Sequence, residues 1–406
     1  MSSVIVQVGQ CGNQIGHHFW SKTVRDECAE KCNVYKSQDG YLRAVCIDSE
    51  PKVVGKIQRG CKVRDANVVC GKRGRGSNWA LGYHGLPSKG DNHVLEDSME
   101  ALRKEIERCA HFSGTMIFHS LSGGTGSGLG SRLCEEIRDA YPMQYLLSCA
   151  VAPCTSGESP LQNYNSAFTL SWLQRYADGI ILLRNDDMLQ KVKKRSEQES
   201  AGFEDLNSAI AGSLCGVVLP TDTLKSSGYS LGMEPWEMVR SLCPMPSLKF
   251  MNLSHASRSK LSWEGLVSSI SQGHRRRDSQ GQIVRTLSTL LVARGDATST
   301  FFRNLKTTEE KIKSAYNVVN WNPFPVDVWT AKDFPPGPRG SSSVTIAANS
   351  GCIMEFLDTV SHKAQRMFRE KAYLHWYHRY GSSEADFTEA FETLARIYGD
   401  YQEAMR

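Results

Sequence analysis

The first half of the chain alternates short apolar runs with segments of helical periodicity. Apolar runs that predict buried strands lie at residues 4–8, 44–48, 115–119, 145–151 and 179–183. Between them, apolar residues recur at helical spacing and predict helices at 13–22, 97–112, from about 128, and at 163–176. This alternation is typical of a parallel sheet covered on both faces, and therefore predicts a doubly wound α/β domain. Ligands of such domains bind beyond the carboxyl ends of the strands.

The second half reads as a further α/β unit that follows a connecting helix at residues 203–218. Strands are predicted at 248–253, 287–293, 317–320 and 344–348. The Pro-, Gly- and Ser-rich stretch 335–343 is predicted to be a loop. From Ile353 the pattern turns helical, with one helix through Lys371 and another from Glu384 to Gln402.

Composition places the chain among cytosolic proteins. Hydrophobic residues make up 40% and charged residues 22% of the 406 positions, which is ordinary for a soluble globular protein. No run of 18 apolar residues occurs and the N-terminus does not resemble a signal peptide, so we expect no membrane partner. The 13 cysteines form no C-x-x-C pair, which favours small buried residues over a metal site.

Positive charge is concentrated in one segment, Lys52 to Arg75. Eight cations lie there against the single acid Asp65. A solvated face is one interpretation; a docking surface for an acidic protein segment is the other. Because no aromatic residues are interleaved among these cations to stack on bases, we do not expect a nucleic-acid partner.

The run Ser122 to Gly128 places four glycines between a predicted strand and a predicted helix. Glycines let backbone N–H groups approach anionic oxygens, and the positive end of the helix dipole lies behind them. No Gly-Lys-Ser/Thr follows, so this is not the common phosphate loop with its lysine. The run predicts a phosphate cradle, with a tight structural connection as the alternative.

Several ordered blocks resemble the tubulin superfamily over essentially the whole chain. They are GQCGNQIG at 9–16, DSEPKVV at 48–54, GRGSNWALGYH at 74–84, SGGTGSG at 122–128 and MFREKAYLHWYHRYGSSEADFTEA at 367–390. The resemblance implies a GTP-binding domain at 1–202, a core helix at 203–220, an intermediate domain at 221–350 and a C-terminal helical region at 351–406.

The resemblance also implies a site for GTP or GDP with Mg²⁺. The positions that match nucleotide-contacting residues are Gln10, Cys11, Ser120, Gly123, Gly124, Thr125, Gly126, Gln162, Asn185, Phe203 and Asn207. Amides suit the guanine edge because they offer both a donor and an acceptor. Glu50, with Asp48 near it, matches the acid that holds Mg²⁺ through water, and Mg²⁺ is a cation that prefers oxygen ligands. Read alone, Glu50 could be a surface acid, and either asparagine could cap a helix.

Four positions depart from the family pattern. Gln162 stands where a glutamate on the ribose is usual, Asn163 replaces the proline that usually follows, and Ser77 stands where an asparagine is usual. Arg75 adds a cation beside the loop expected near the γ-phosphate. This arginine could bind phosphate directly or remain solvated and face a partner.

The resemblance also implies how GTP would be hydrolysed. Tubulins hydrolyse GTP poorly alone, because an acid from the next subunit completes the site. Glu237 aligns with the acid that one subunit presents to its neighbour's nucleotide, where it would orient the attacking water. Glu234 is a nearby alternative, and a plain helix-surface acid is a third interpretation. We therefore expect at most a weak GTPase that is activated by longitudinal assembly.

The chain looks unlike an ordinary microtubule lattice subunit. The segments 20–41 and 254–262, where lateral contacts would form, are short for the family, and no glutamate-rich tail follows Arg406. The overall pattern is most similar to zeta tubulin, with delta tubulin second. We therefore expect a cytoskeletal protein of centrioles or basal bodies whose partners are other tubulins or centriolar proteins. A free GTPase of the bacterial cell-division type and a nucleotide-dependent metabolic enzyme are the alternatives.

Overall fold

Ten strands and thirteen helices make up the part of the chain that this computed structural model describes. The described residues are 2–23, 34–51, 55, 60–85, 93–157, 159–196, 202–221, 236–258, 261–274, 276–295, 301, 303–332 and 341–406. They fall into two units, which are described in turn. The first comprises Met1–Ser21, Cys32–Ser208 and Leu357–Ile397, and the second comprises Lys22–Lys31, Ala209–Phe356 and Tyr398–Arg406. The domain boundaries expected from the resemblance remain a prediction.

The first unit contains a parallel sheet of six strands. They are β1 (Ser2–Val8), β2 (Ala44–Asp48), β3 (Val68–Cys70), β4 (Phe112–Ser120), β5 (Tyr145–Ala152) and β6 (Gly179–Arg184). Their order is β3-β2-β1-β4-β5-β6, and every pairing is parallel. The chain moves outward from β1 to β2 on one side and to β4 on the other, which makes the gap between β1 and β4 the topological switch point. This sheet confirms the predicted doubly wound α/β fold.

The sequence predicted the presence of several helices, but not all of their first and last residues. In chain order they are α1 (Gly9–Thr23), α2 (Trp79–His84), α3 (His93–Glu107), α4 (Gly130–Ala140), α5 (Gln162–Tyr176), α6 (Asn185–Ser196), α7 (Phe203–Val218), α8 (Glu237–Leu242), α9 (Trp263–Gly273), α10 (Leu305–Tyr316), α11 (Cys352–Arg369), α12 (Leu374–His378) and α13 (Glu384–Ala404). The helix predicted at 97–112 ends at Glu107 instead, because Phe112 already begins β4. None of the described helices has the length and apolar character needed to cross a bilayer.

The second unit contains a mixed sheet of four strands. They are β7 (Phe250–Arg258), β8 (Thr286–Arg294), β9 (Val326–Ala331) and β10 (Ser342–Ser350), in the order β7-β10-β8-β9. Strand β10 runs antiparallel to both β7 and β8, and β8 and β9 are parallel. One face packs against α9 and α10 through a core that includes Trp263, Leu291, Ile312 and Tyr316.

One predicted strand of the second unit is wrong. Asn317 has φ 48° and ends α10 in a left-handed conformation, so the chain turns where an extended run was expected. Val318 makes only an isolated bridge to Thr286. The parallel partner of β8 is β9, which starts nine residues further along than the predicted strand.

Candidate functional site

The glycine turn joins the end of β4 to a helical segment that begins earlier than predicted. Helical geometry starts at Gly124 as a wide turn over Gly124–Leu129 and continues into α4. The first N–H groups of a helix have no acceptor within it. Those of Gly124, Thr125 and Gly126 are therefore available to an anion, which fits a phosphate group.

Most glycines of this turn are required by packing. A Cβ at Gly124 would lie 2.5 Å from the Arg75 carbonyl oxygen, and one at Gly126 would lie 2.6 Å from Ser120 Oγ. A Cβ at Gly123 would meet only Ser120 Oγ, at 3.3 Å, and Gly123 has an ordinary φ of −83°. The turn is thus tightly packed on one side, as the alternative of a structural connection expects, and Gly123 remains partly accessible. Its use as a phosphate cradle stays a prediction.

The first turn of α1 lies directly against the glycine turn. Gly9 has φ +72°, and a Cβ there would lie 3.0 Å from the Gly126 backbone nitrogen. Asn13 Nδ2 donates to the carbonyls of Gly9 (3.0 Å) and Ile47 (2.8 Å), which fixes the start of α1 to the end of β2. The N-termini of two helical segments therefore meet at the switch point, with exposed Gln10 and half-buried Cys11 in the first turn of α1.

The predicted metal-binding acids follow β2 beside this turn. Ser49 Oγ lies 2.6 Å from Thr125 Oγ1, which joins the segment after β2 to the glycine turn. Asp48 is buried, and burial raises the pKa of its carboxyl to about 6. Glu50 is exposed, and its carboxylate lies so close to Gly74 that a Cβ there would be 2.1 Å from Oε1.

These two carboxylates fit one way of holding Mg²⁺. Among the described residues, no group of three or more His, Cys, Asp or Glu side chains is arranged to bind a metal. Mg²⁺ commonly uses one or two carboxylates together with phosphate oxygens and water. Asp48 and Glu50 could hold the ion in that manner when a nucleotide supplies the remaining oxygens.

The residues predicted to bind the sugar and base follow β5 and β6 and begin α7. Gln162 is buried, donates to the Cys154 carbonyl at 3.3 Å, and lines an open cavity of about 350 Å³. Asn185, half-buried, is the first residue after β6. Phe203 is 62% exposed, which leaves its ring available for stacking. Asn207 is buried, and its Nδ2 donates to Gln14 Oε1 on α1 at 3.2 Å.

Two buried residues that the sequence analysis missed position the glycine turn. His119 lies in β4 with Nδ1 3.0 Å from the Gly126 carbonyl and Nε2 2.8 Å from Ser148 Oγ. Burial lowers the pKa of His119 to about 4, so the ring is neutral and we assign the proton to Nδ1, where it is donated to Gly126. The second residue, Asn165 in α5, donates to the carbonyls of Ser77 and Ser122. Neither residue gave a distinct sequence signal, because β4 and α5 each contain several other polar residues.

Arg75 is buried, with 4% of its surface exposed. Its backbone packs against Gly124 of the glycine turn. The expectation of a solvated arginine that faces a partner is therefore wrong, because solvent reaches so little of the residue.

One cation of the predicted basic segment, Arg64, is neutralised by acids within the protein. Arg64 Nη1 donates to both oxygens of the fully buried Glu105, at 2.8 and 3.0 Å, and Arg64 also pairs with Asp39. The count of eight cations against one acid was misleading because Glu105 lies far away in sequence. Lys62, Lys72 and Arg73 remain exposed, while Lys52, Lys56 and Arg59 lie outside the described residues.

Glu237 belongs to the second unit. It is the first residue of α8, its side chain is 26% exposed, and it lies 4.0 Å from Arg240 Nη2. The alternative acid, Glu234, lies outside the described residues. The role of Glu237 in a neighbour's site stays a prediction.

Comparisons with known proteins agree with this arrangement. Residues 2–193 match the Tubulin/FtsZ family, GTPase domain. A tubulin delta chain of Macaca fascicularis is 30% identical over 99% of this chain and 99% of its own length, and the human tubulin delta chain is 29% identical with the same coverage. A tubulin beta-3 chain of Zea mays is 30% identical over 98% of this chain and 94% of its own length. The sheet, the glycine turn at its switch point and these full-length relatives together establish that the chain belongs to the tubulin family.

Proposed function

We propose that this chain is a tubulin-like cytoskeletal subunit that binds GTP or GDP at the switch point of its parallel sheet. The observation that carries the proposal is the contact between Gly9 and Gly126, which brings two helix N-termini together. Backbone N–H groups and two helix dipoles there favour a polyanion. Asp48 and Glu50 lie beside the same turn and add the oxygen ligands for Mg²⁺.

The base end of the site favours guanine. With Asn207 Nδ2 donating to Gln14, Asn207 Oδ1 remains to accept hydrogen bonds from N1–H or the N2 amino group of guanine. Adenine lacks both donors, and hypoxanthine lacks the amino group. GTP should therefore bind more tightly than ITP, and ITP more tightly than ATP.

The first experiment identifies the nucleotide released from the purified protein and measures dissociation constants for GTP, GDP, ITP and ATP. Gly123→Val is the variant of choice, since the backbone at Gly123 accepts a side chain. We expect at least a tenfold weaker affinity for GTP with an unchanged melting temperature. Gly399→Val in α13, where an added Cβ meets no atom within 4 Å, is the matched control. Normal occupancy in Gly123→Val would exclude the glycine turn as the phosphate site.

A valine at Gly124 is a poor test for the same purpose. Its Cβ would collide with the backbone of Arg75 and Asn78, so it would damage the packing between two loops. Loss of binding in that variant would not separate a phosphate contact from local misfolding.

We further propose that the subunit acts at centrioles or basal bodies. Support comes from the tubulin delta chains that span nearly the whole chain, and these favour the delta subtype over zeta, our first expectation. A fluorescently tagged copy should accumulate at these structures. Incorporation along the whole length of cytoplasmic microtubules would instead identify an ordinary lattice subunit.

An acidic protein segment is the partner proposed for the exposed cations Lys72 and Arg73. Attraction between exposed charges is screened beyond about 8 Å at physiological salt, so binding should weaken steeply as salt is added. The test measures binding of a glutamate-rich peptide to the wild type and to Lys72→Glu/Arg73→Glu. Equal affinity for the two proteins would leave these cations as solvated surface.

A further inference from the structure

Asn165 uses its whole hydrogen-bonding capacity on the loops around the glycine turn. Its Nδ2 donates to the carbonyls of Ser77 and Ser122, both at 2.7 Å. Its Oδ1 accepts from the Trp79 backbone N–H at 2.9 Å and from the Tyr377 hydroxyl at 2.6 Å. An amide offers two donors and two acceptor sites, so a fully buried Asn165 is satisfied only while all four partners stay in place.

The partners of Asn165 belong to separate segments. Ser77 lies in the loop that packs on Gly124, and Trp79 begins α2. Ser122 immediately precedes the glycine turn. One side chain therefore sets the spacing between the glycine turn and the loop that contains Ser77.

Tyr377 connects this centre to α12. The side chain of Tyr377 is fully buried, and burial raises the pKa of its hydroxyl well above the ordinary value, so it remains a donor to Asn165. A second link runs in parallel, because Asn78 Nδ2 donates to the Trp376 carbonyl at 3.3 Å. On its outer side, α12 exposes Trp376, which is 42% accessible.

We propose that Asn165 is a positioning residue through which Tyr377 and α12 tune the affinity of the site for the terminal phosphate of the nucleotide. The inference rests on the proposed nucleotide site. Asn165 sets the distance between the glycine turn, which is the proposed phosphate cradle, and the loop that contains Ser77. A change in this distance therefore affects the affinities for GTP and GDP unequally. Triphosphate, which reaches further along the cradle, depends on the spacing more than diphosphate does.

The test compares two buried tyrosines. Tyr377→Phe removes the hydroxyl that donates to Asn165, whereas Tyr164→Phe removes a hydroxyl that donates to the Ala372 carbonyl at 3.2 Å and does not contact Asn165. Both variants lose one hydroxyl near the same segment, so their losses of stability should be similar. We expect Tyr377→Phe to lower the ratio of GTP to GDP affinity about fivefold, the value of one ordinary hydrogen bond. Tyr164→Phe should leave the ratio within twofold of the wild type.

A second variant tests the donor side of the same residue. Asn165→Asp keeps the acceptor for Tyr377 but places a carboxylate against two carbonyl oxygens, and should lower the GTP to GDP ratio further. Because Asn165→Asp can fail to fold, the result for Tyr377→Phe is by itself sufficient to test the positioning role of Asn165. An unchanged ratio in Tyr377→Phe, or equal changes in Tyr377→Phe and Tyr164→Phe, would overturn the positioning role. Absence of guanine nucleotide binding in the wild type would instead overturn the proposed function, and the inference with it.

Discussion

At the scale of single residues, the buried His119 makes the glycine turn sensitive to acid. Its pKa is about 4 in the folded protein and about 6.5 in an unfolded chain. Because the folded state binds the proton less well, its contribution to stability is present above pH 6.5 and is lost as the pH falls towards 4. The neutral ring is required for the arrangement that fixes Gly126 and Ser148 together.

We predict that His119→Gln removes this part of the pH dependence. Between pH 6.5 and pH 4 the wild type should lose roughly 3 kcal/mol of unfolding free energy more than the variant does. Urea unfolding at several pH values measures both proteins. Parallel stability curves for the two would show that His119 is not the titrating group.

Ser77 carries backbone strain that the family's usual asparagine would relieve. Asn78 N donates to the Arg75 carbonyl at 3.0 Å, and the two residues between them, Gly76 and Ser77, have φ values of 53° and 50°. This is the pattern of a type I′ turn, which favours glycine or asparagine at both central positions. Serine at the second position is therefore strained.

We predict that Ser77→Gly raises the unfolding free energy by roughly 0.5–1 kcal/mol, because glycine adopts a positive φ without steric cost. The Ser77 carbonyl that Asn165 binds is unaffected by the change. Ser156→Gly, at an exposed position that is not among the positive-φ residues, is the control and should give no gain. A gain of the same size in the control would mean that the turn geometry is not the cause.

At the scale of secondary-structure elements, Arg64 joins the segment before β3 to α3. Its partner Glu105 is fully buried and also accepts from Asn67 Nδ2 at 2.9 Å. Arg43 and Arg108 also lie near Glu105, at 3.8 and 3.5 Å, but Arg64 is the nearest cation and donates to both carboxylate oxygens. Removing Arg64 therefore leaves the buried charge of Glu105 only partly compensated. We predict that Arg64→Ala lowers the unfolding free energy by about 3 kcal/mol, measured by chemical denaturation.

The exposed cations of the same segment provide the control for Arg64. Lys72→Ala and Arg73→Ala should change stability by less than about 0.5 kcal/mol, as surface substitutions usually do. Arg64→Ala with an equally small effect would mean that the ion pair contributes little. A charge-reversal test of partner binding should therefore leave Arg64 intact.

Elements with clear periodicity could be predicted from the sequence, and others could not. Strand β2 was predicted at its observed limits because a buried parallel strand is a continuous apolar run. Helix α6 was missed because NDDMLQKVKKRS is mostly polar and gives little apolar periodicity. Strand β9 was missed because two adjacent valines at 318 and 319 suggested an extended run earlier in the chain. The start of helical geometry at Gly124 was not predicted for a different reason. It depends on packing against Arg75, which is distant in sequence.

The same distinction holds for the site. The residues predicted to contact the nucleotide lie in glycine-rich or amide-containing segments at strand ends, where sequence motifs are visible. Residues that hold those loops, such as His119 and Asn165, lie inside regular elements. Their roles depend on partners up to 212 residues away, and no local pattern records such a pairing.

At the scale of the whole molecule, the predicted role of Glu237 concerns assembly. If this acid acts on a neighbour's nucleotide, Glu237→Ala should leave GTP affinity unchanged and slow turnover in the assembled state about 100-fold. Single-subunit binding and turnover with a tubulin partner are measured side by side. Arg240→Ala, which removes the nearby cation of α8, is the matched control. Loss of binding in Glu237→Ala would assign the residue a structural role instead.

The first unit is interrupted in sequence, since the chain leaves it after Ser208 and returns at Leu357. A ribosome that adds about 5–20 residues per second needs roughly 10 to 40 s to proceed from Asn165 to Tyr377, which are 212 residues apart. Until then the nascent chain contains the glycine turn, the Ser77 loop and Asn165, but not the Tyr377 hydroxyl that donates to Asn165. The first unit is therefore completed only after most of the second unit has already been made.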